Sequence, residues 1–316
     1  MGYYIKPFQG AIENCEENRF AAPFTSESAG RMLSRDAFLS LEDAGDKING
    51  LEEKAAGKTM GEKDSGQEKL QEMTQFGFRE VSADEKRKLV QGHFDQIAAR
   101  YDFTNTVMSL GNQHRWKKAA VAMLGLQPGE RVLDVCGGTG DLALRAAEAV
   151  GPRGRVVLYD FNRAMIEVGR RKVSASPYRN QILLVQGDAE KISLSDRIFD
   201  VAMVGFGIRN LTHMEQGFKE MHRVLKPGGR VMCLEFSQPP SAWFRKLYDF
   251  YSFQIMPLLG QILVGSREAY TYLPESIRIF PGPDELTKIL QRIGFDQVRY
   301  RLMTGGIAVI HVGRKA

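Results

Sequence analysis

The feature of this sequence that most constrains its fold is an apolar strand that runs through an acid into a glycine-rich turn. Residues 132–141 read Val-Leu-Asp-Val-Cys-Gly-Gly-Thr-Gly-Asp. Glycine lets a ligand approach the main chain closely, and the N-terminus of a following helix presents free N–H groups. We therefore predict a nucleotide or nucleoside pocket at Gly138, Thr139 and Gly140, with a helix that begins near Thr139.

The acid in this segment, Asp134, indicates which ligand the pocket takes. The glycines alone do not decide, because residues 138–143 also match the dinucleotide pattern G-x-G-x-x-G/A. A carboxylate here repels a pyrophosphate but suits the cationic methionine end of S-adenosylmethionine, directly or through water. S-adenosylmethionine is the predicted cofactor. A nicotinamide-dependent dehydrogenase and an ordinary turn with a solvated acid are the alternatives.

Strand and helix patterns alternate around this turn. Strands are predicted at 131–136, 154–160, 181–187, 199–204 and 229–236, and helices at 139–150, 162–174, 212–225 and 284–292. Two last strands, 295–303 and 306–313, flank a hairpin at Thr304-Gly305-Gly306. Such alternation predicts an α/β fold, with a mostly parallel sheet that carries helices on both faces.

The N-terminal part differs in composition from the rest. Residues 1–75 hold 9 Lys/Arg and 14 Asp/Glu, so the remaining 34 Lys/Arg and 24 Asp/Glu give the rest a charge of about +10. We expect 1–75 to be a flexible, poorly ordered extension with possible short helices around 29–41. From Ser82, a capping-box sequence starts a helix that leads into Tyr101, where it breaks, and a second helix spans about 113–124.

Composition excludes several classes of protein. The three cysteines, Cys15, Cys136 and Cys233, lie far apart without C-x-x-C pairing, which argues against a disulfide framework or a zinc site. The longest apolar stretch, 255–264, is interrupted and shorter than the roughly 20 residues of a spanning helix. No targeting segment and no nucleic-acid motif is evident. We expect a bacterial cytoplasmic protein whose basic surface can meet anionic lipids but not nucleic acid.

Acids also follow the second and third predicted strands. Asp160 lies 20 residues beyond Gly140, where its carboxylate can accept hydrogen bonds from both ribose hydroxyls, although it can also cap the next helix. At the end of the third strand, Asp188 can accept from an adenine amino group while the Ala189 amide donates to the ring. Ligands bind at the carboxyl ends of parallel strands, so these residues are expected to share one pocket.

Further short segments carry a resemblance to a known family. They are Phe76-Gly77-Phe78, Ala99-Arg100-Tyr101-Asp102, Asn105, Met108-Ser109-Leu110-Gly111, Trp116-Lys117, Phe206-Gly207-Ile208-Arg209-Asn210, Glu235-Phe236-Ser237, Tyr270, Tyr272-Leu273, Ser276-Ile277, Phe280-Pro281 and Thr304-Gly305-Gly306-Ile307. With the glycine-rich turn, they resemble the ubiquinone/menaquinone biosynthesis C-methyltransferases over about residues 76–316. Cys136 departs from the alanine common in that turn, and Phe103 and Thr104 replace a common apolar pair.

The resemblance implies a class I S-adenosylmethionine-dependent methyltransferase with a Rossmann-like, seven-stranded, mostly parallel sheet. It implies methyl transfer to a ring carbon of a prenylated quinol, without a metal. The expected parts are a helical lid at 76–125, a cofactor-binding core at 126–240, a substrate-binding insert at 241–281, and a last helix and strands at 282–316. An O- or N-methyltransferase of another small molecule and a non-catalytic scaffold remain alternatives.

Four residues are candidates for the chemistry. A ring carbon attacks a sulfonium methyl once the adjacent phenol has lost its proton, so a phenolate must be stabilised. Arg209 is the first candidate, with Asn210 as a second donor; the alternative is that Arg209 pairs with Asp188 or Glu235. Tyr101 either orients the reactants from the lid or is a buried aromatic residue. Glu235 either accepts a proton or is the partner of Arg209.

An isoprenoid tail needs an apolar channel, and aromatic residues recur at helical spacing in the insert. Tyr248, Tyr251, Tyr270 and Tyr272 are the expected substrate-binding residues, with the core as the alternative location for this stripe. We expect the insert to meet the inner face of the membrane peripherally, and a homodimer is left open. The residues do not separate benzoquinol from naphthoquinol acceptors, and demethylmenaquinol is preferred on the bacterial character of the chain.

Overall fold

The computed structural model describes residues 72–316, so most of the predicted extension and its possible short helices lie outside the described residues. The described chain opens with a two-stranded antiparallel hairpin, β1 (Met73–Phe76) and β2 (Arg79–Ser82), which turns at Gly77 with a φ of +58°. Regular structure therefore begins inside the predicted extension. Each strand has only four residues, which is too short for a clear alternation of polar and apolar side chains.

Three helices precede the main sheet: α1 (Ala83–Ile97), α2 (Tyr101–Met108) and α3 (Asn112–Leu124). Ser82 caps α1 as predicted, because its hydroxyl accepts a 3.2 Å hydrogen bond from the Glu85 amide. The predicted helix breaks before Tyr101 rather than after it, because α1 ends at Ile97. A 3₁₀ turn leads directly into α2, and Asp102 lies in its first turn, where the helix dipole favours an acid.

A seven-stranded sheet forms the centre of the fold. Its strands are β3 (Arg131–Val135), β4 (Arg155–Asp160), β5 (Ile182–Gln186), β6 (Phe199–Gly205), β7 (Leu225–Phe236), β8 (Phe295–Met303) and β9 (Ala308–Lys315). The spatial order is β5-β4-β3-β6-β7-β9-β8, and β9 alone runs in the direction opposite to the other six strands. This confirms the predicted mostly parallel sheet. The last two strands form the predicted hairpin around Thr304-Gly305-Gly306.

Helices pack on both faces of this sheet, as predicted. They include α4 (Asp141–Val150), α5 (Arg163–Ser174), α6 (Met214–Val224) and α10 (Pro283–Ile293). In β3, Val132 belongs to the apolar core on the side of α3 and α4, whereas Leu133 belongs to the core on the side of α6. Both faces of the central strands are buried, which explains why the sequences of these strands are continuous apolar runs.

The segment between β7 and β8 adds helices beyond the sheet. They are α7 (Ala242–Phe250), a π-helical turn (Tyr251–Ile255), α8 (Met256–Val264) and α9 (Arg267–Ile279). Pro257 lies in the first turn of α8, where its missing N–H costs no hydrogen bond. Within residues 72–316, no helix is long and apolar enough to cross a membrane.

The strand β7 begins four residues earlier than predicted, at Leu225. Leu225 pairs with Phe199, and the register then shifts before Arg230 pairs with Val201. Residues 226–229, Lys-Pro-Gly-Gly, lie in this irregular stretch, and Gly228 has a φ of +74°. A proline followed by glycines is typical of a turn, so the sequence did not predict a strand over residues 225–228.

The core on the α6 side supports a stability prediction. Phe218 on α6 is fully buried, so Phe218→Ala should lower the free energy of unfolding by about 3–5 kcal/mol through lost burial and a cavity. Phe103 on α2 is largely exposed and provides the matched control; Phe103→Ala should change stability by less than about 0.5 kcal/mol. Urea unfolding of the full chain measures both, and equal losses would contradict this packing.

Candidate active site

Charged side chains line one edge of the sheet. Reading across the strands in spatial order, the carboxyl ends contribute Asp188 after β5, Asp160 in β4, Asp134 in β3, Arg209 after β6 and Glu235 in β7. The sheet topology thus places residues that are up to 101 positions apart in the sequence along one edge, as the sequence predicted. This edge is the candidate active site.

The turn after β3 requires its glycines. A Cβ on Gly137 would lie 2.9 Å from Leu158 Cγ and 3.0 Å from the Asp134 carbonyl oxygen. Gly138 and Gly140 have φ values of +54° and +83°, which side chains rarely adopt. The helix α4 begins at Asp141, two residues later than predicted, because Gly140 in the left-handed conformation precedes it.

A first cavity of 120 Å³ lies against this turn. Of the predicted cofactor-binding residues, it is lined by Asp134, Gly138, Thr139, Asp160, Asp188 and Ala189. Gly140 does not line it. A Cβ at Gly140 would lie 3.0 Å from Leu158 Cδ1, so this glycine serves the turn and its packing instead.

Asp134 is wholly buried, and neither carboxyl oxygen has a hydrogen-bond partner among the described residues. Burial raises the pKa of Asp134 to about 8, although the backbone amide of Ala143 opposes this rise. An unpaired buried carboxyl group costs free energy unless a donor or a cation meets it. This environment favours a cationic ligand group such as the ammonium of S-adenosylmethionine.

Asp160 also ends its strand beside the turn. Its two carboxyl oxygens accept hydrogen bonds from the amides of Gly138 at 2.8 Å and Asn162 at 2.7 Å. Burial raises the pKa of Asp160 to about 6, while these amides lower it. Each carboxyl oxygen retains a second lone pair, which suits two ribose hydroxyls. The alternative role as helix cap is filled by Asn162, whose side chain accepts from the Met165 amide.

Asp188 has a protein partner that the sequence did not predict. Its Oδ2 accepts a 2.8 Å hydrogen bond from the Arg87 guanidinium of α1, and its Oδ1 accepts from the Glu190 amide. Arg87 itself lines the first cavity beside Asp188. The α1 helix therefore closes this side of the first cavity, and both oxygens of Asp188 already accept a hydrogen bond from the protein.

A second cavity adjoins the first and has a volume of 510 Å³. Both cavities are lined by Val90, Phe94, Tyr101, Phe206 and Asn210, so they meet at these residues. All four predicted substrate-binding tyrosines, Tyr248, Tyr251, Tyr270 and Tyr272, line the second cavity, together with Arg209. Most of the other lining side chains are apolar, and Arg209 is the only Asp, Glu, Lys or Arg among the described residues that line it.

Arg209 is held by two hydrogen bonds from its Nη1. One goes to the Phe206 carbonyl oxygen at 2.6 Å and the other to Glu235 Oε1 at 2.7 Å. Its guanidinium also lies over the Phe236 ring, 5.3 Å from the centroid. This ion pair is the alternative that the sequence left open for both residues. The other open alternative, a pairing of Arg209 with Asp188, does not occur.

Glu235 lies behind Arg209 and does not line either cavity. Its Oε1 also accepts a 2.8 Å hydrogen bond from the Phe236 amide, whereas Oε2 has no partner in the described part of the chain. Burial raises the pKa of Glu235, and the Arg209 guanidinium opposes that rise. Glu235 is therefore placed to fix Arg209 rather than to meet a ligand.

Tyr101 and Asn210 lie where the two cavities meet. Burial raises the pKa of Tyr101 far above its usual range, so its phenol stays protonated. Asn210 Oδ1 accepts a 3.1 Å hydrogen bond from the Tyr272 hydroxyl, while its Nδ2 has no partner among residues 72–316. These groups can offer N–H and O–H donors to an oxygen between the cavities.

The sequence did not predict a polar network at the wall of the first cavity. Asp102 accepts from Thr139 Oγ1 and from Lys172 Nζ, each at 2.6 Å. Lys172 also pairs with Asp141, which in turn accepts from Lys117 at 2.7 Å. Alternating charges thus tie α2 and α3 to the glycine-rich turn and α5. The contacts join residues up to 70 positions apart, which no local pattern reveals.

The described residues contain no group of three or more His, Cys, Asp or Glu side chains placed to hold a metal ion. The residues of the first cavity do match the chemical groups of S-adenosylmethionine. Asp134 provides an unpaired buried carboxyl for the ammonium, Asp160 provides acceptors for the ribose, and the turn at Gly137 has no room for a side chain. The donor and acceptor set therefore matches that cofactor.

The buried carboxyl of Asp134 gives a prediction about pH. Its pKa of about 8 in the folded chain exceeds its ordinary value of 3.8, so the unfolded chain releases this proton first as pH rises. Stability is therefore lost between about pH 4 and pH 8, by about 4 kcal/mol at pH 7. Asp134→Asn removes the proton, so its stability relative to wild type should rise across this range.

Denaturant unfolding of both proteins without cofactor at pH 4.5 and pH 7.5 measures this difference. The quantity of interest is how the stability difference between the two proteins changes with pH. The side-chain amide of Asp134→Asn would lack hydrogen-bond partners at both pH values, so its own cost cancels. A difference that stays constant with pH would show that Asp134 is ionised throughout.

The family comparison matches the sequence to one group of enzymes. A model of the ubiE/COQ5 methyltransferase family matches residues 80–315. A ubiquinone/menaquinone biosynthesis C-methyltransferase UbiE from Pseudomonas fluorescens is 45% identical over 242 residues, covering 77% of this chain and 94% of that protein. One of the same name from Teredinibacter turnerae is 43% identical over 243 residues, covering 77% and 98%.

Solved structures show the same fold at low sequence identity. The [4+2]-cyclase SpnF has a TM-score of 0.54 at 16% identity, covering 72% of this chain and 95% of that chain. A possible histamine N-methyltransferase from Thermotoga maritima has a TM-score of 0.51 at 17% identity, covering 71% and 99%. The fold is therefore that of class I S-adenosylmethionine-dependent methyltransferases. With nearly the whole described chain matched by the family model, this protein belongs to the ubiE/COQ5 methyltransferase family.

Proposed function

We propose that this protein transfers the methyl group of S-adenosylmethionine to a ring carbon of a prenylated quinol, in menaquinone or ubiquinone biosynthesis or in both. The observation that carries this proposal is the junction of the two cavities. A cavity with acids at its strand ends meets a larger, mostly apolar cavity at Tyr101, Phe206 and Asn210, beside Arg209. The relatives named as C-methyltransferases support the same reaction.

In this proposal, the first cavity holds the cofactor. Asp134 meets its ammonium group, Asp160 accepts from the ribose hydroxyls, and the turn at Gly138 and Thr139 allows close approach. Asp188 and the Ala189 amide face the adenine. When bound, S-adenosylmethionine supplies a methyl group on a positively charged sulfur. Three acids on this side of the sheet edge favour that positive charge.

The second cavity would hold the quinol with its reactive carbon toward the junction. Loss of a phenol proton to water creates a phenolate, which Arg209 stabilises because a guanidinium remains charged at neutral pH. Asn210 Nδ2 has no protein partner and can donate to the same oxygen. The ring carbon would then take the methyl group as the bond from that methyl to sulfur breaks. The ring carbon releases its own proton to water as aromaticity returns, and the phenolate oxygen takes a proton back from water. Tyr101 orients the reacting groups at the junction.

Glu235 has a supporting role in this proposal. Its carboxylate bonds the Arg209 guanidinium and the Phe236 amide, so it fixes the arginine against the Phe236 ring. The alternative role as a proton acceptor is not favoured, because Glu235 does not line the substrate cavity. A guanidinium that is already oriented loses little conformational entropy when it binds a phenolate.

We further propose a demethylated menaquinol as the preferred acceptor. Trp116, Phe206 and Phe236 form an aromatic group at the junction, with ring centroids 4.5–6.1 Å apart. A two-ring naphthoquinol offers these side chains more apolar area than a benzoquinol does, at roughly 25 cal/mol per Å². Comparing kcat/KM for demethylated naphthoquinol and benzoquinol acceptors tests this preference, and a higher value for the benzoquinol would reverse it.

The isoprenoid tail would occupy the rest of the second cavity. Tyr248, Tyr251 and Tyr270 contribute aromatic walls, and their side chains are buried or half-buried. The Tyr251 hydroxyl is engaged by the Met108 carbonyl oxygen at 2.9 Å, so its ring remains free to contact an apolar chain. Burial of such a chain supplies affinity without contributing to the chemical step.

The cavity would open toward a lipid surface. The part of the insert from α7 to α8 exposes six large apolar side chains, Trp243, Leu247, Phe250, Ile255, Leu258 and Ile262. Leu247, Phe250 and Ile255 also line the second cavity, so its mouth lies on this apolar face. Arg245 and Lys246 are exposed on the same helix and can meet anionic headgroups. We propose peripheral binding of this face to the inner surface of the membrane.

The roles of Arg209 and Asp160 can be separated by mutation. Arg209→Ala should keep the Kd for S-adenosylmethionine within about threefold and lower kcat by about 10²-fold or more, because the phenolate loses its cation. Asp160→Ala should instead weaken cofactor binding, because two acceptors for the ribose are lost. Calorimetry and a labelled-methyl assay with demethylmenaquinol measure both effects, and the reverse pattern would contradict the assignments.

Membrane binding can be tested on the apolar face. Leu247→Asp with Ile262→Asp should abolish flotation with vesicles that contain anionic lipid, because charged side chains cannot enter the apolar region. Leu183→Asp, on the edge strand β5, is the matched control at another partly exposed leucine and should float like wild type. Unchanged flotation of the folded double variant would refute the proposal. A shift from dimer to monomer would instead identify a second copy of the chain as the occupant.

A further inference from the structure

We infer that Tyr272 is a positioning residue for the reaction: its hydroxyl fixes the side-chain amide of Asn210 so that the NH₂ group faces the quinol oxygen. The inference rests on the proposed function and adds to it a reason for the orientation of Asn210. Tyr272 was expected only as a wall of the substrate cavity, and the structure adds a specific polar contact.

The hydrogen bonds of Asn210 define the two ends of its amide. Oδ1 accepts from the Tyr272 hydroxyl at 3.1 Å, whereas Nδ2 is buried without a partner among the described residues. Asn210 lines both cavities and is only 9% exposed. Because the oxygen is engaged by the tyrosine, the two N–H donors remain for a ligand at the junction.

Tyr272 is itself held rigidly. Its ring stacks on Phe76 of β1, with centroids 4.2 Å apart and planes 13° from parallel, and is tilted against His93 of α1. Phe76, Val81 and Tyr272 form a small buried cluster, so the N-terminal hairpin supports the tyrosine. Burial raises the pKa of Tyr272 to about 12, which keeps its hydroxyl a donor at neutral pH.

The orientation matters for the charge that develops on the quinol. With the NH₂ group toward the phenolate, Asn210 adds a second donor beside the positively charged Arg209. With the amide turned by 180°, its carbonyl oxygen would face the phenolate and repel it. A donor that is oriented before the reaction stabilises the transition state without a cost of reorganisation.

Tyr272→Phe tests this role because it keeps the stacked ring and removes only the hydroxyl. We expect kcat for methyl transfer to demethylmenaquinol to fall between about 10-fold and 100-fold, with the Kd for S-adenosylmethionine unchanged. In an Asn210→Ala background, the same substitution should change kcat by less than about twofold, because no amide remains to be oriented. A merely structural role of the hydroxyl would give equal losses in both backgrounds.

Two further variants make the test decisive. Tyr178→Phe removes a phenol hydroxyl from a half-buried tyrosine that lines neither cavity, and should leave kcat unchanged. Asn210→Asp keeps the acceptor for Tyr272 but replaces the NH₂ group, and should lower kcat at least as much as Tyr272→Phe. This variant keeps the inference testable if Tyr272→Phe does not fold.

The outcomes distinguish this inference from the proposed function. If the wild-type protein methylates the quinol and either Tyr272→Phe or Asn210→Asp leaves kcat unchanged, the inference is wrong. The proposed function then still stands. A wild-type protein that binds S-adenosylmethionine but transfers no methyl group to any demethylated quinol overturns the proposed function, and the inference with it.

Discussion

The arrangement of charge along the carboxyl edge of the sheet is the constraint on which the rest of the site depends. Asp188, Asp160 and Asp134 occupy three neighbouring strands, and the Arg209 and Glu235 pair follows on the next two. Asp134 and Asp160 are buried, and burial raises both of their pKa values. A cation beside these acids offsets the cost of ionising them in a buried site, so one half of the edge favours a cation, whereas the guanidinium on the other half favours an anion. A sulfonium and a phenolate are such a pair.

Much of this arrangement could be predicted, because it follows from short sequence patterns. An apolar run that ends in an acid marks each of β3 and β4, and the parallel topology then brings their ends together. The sequence did not predict the hairpin of β1 and β2, because strands of four residues show little periodicity. The sequence did not predict the first part of β7, because Pro227 and Gly228 are typical of turns. In both cases the tertiary structure overrides the local preference.

The missed parts of the site are side-chain contacts between distant elements. The sequence predicted Asp188 as an adenine acceptor but not its ion pair with Arg87, which comes from α1. It weighed two roles for Glu235 and could not choose, because only packing shows that the carboxylate lies behind Arg209. The chain of charges from Asp102 through Lys172 likewise depends on how α2 and α5 pack. Pair contacts of this kind carry no local periodicity and become visible only in the fold.

Because the insert is apolar, the second cavity is polar at one end and apolar at the other. A prenylated quinol is polar at its ring and apolar along its tail, and the second cavity has the same gradient from the Arg209 junction to the exposed rim at Leu247 and Phe250. If the proposed membrane contact forms at this rim, the tail would pass from one apolar environment into another, at little cost in free energy. At the junction, the ring meets oriented donors in a buried site, where electrostatic interactions are strong. Under the proposed function, the apolar side chains at the rim would take up the tail and leave most of the polar interaction energy for the transition state.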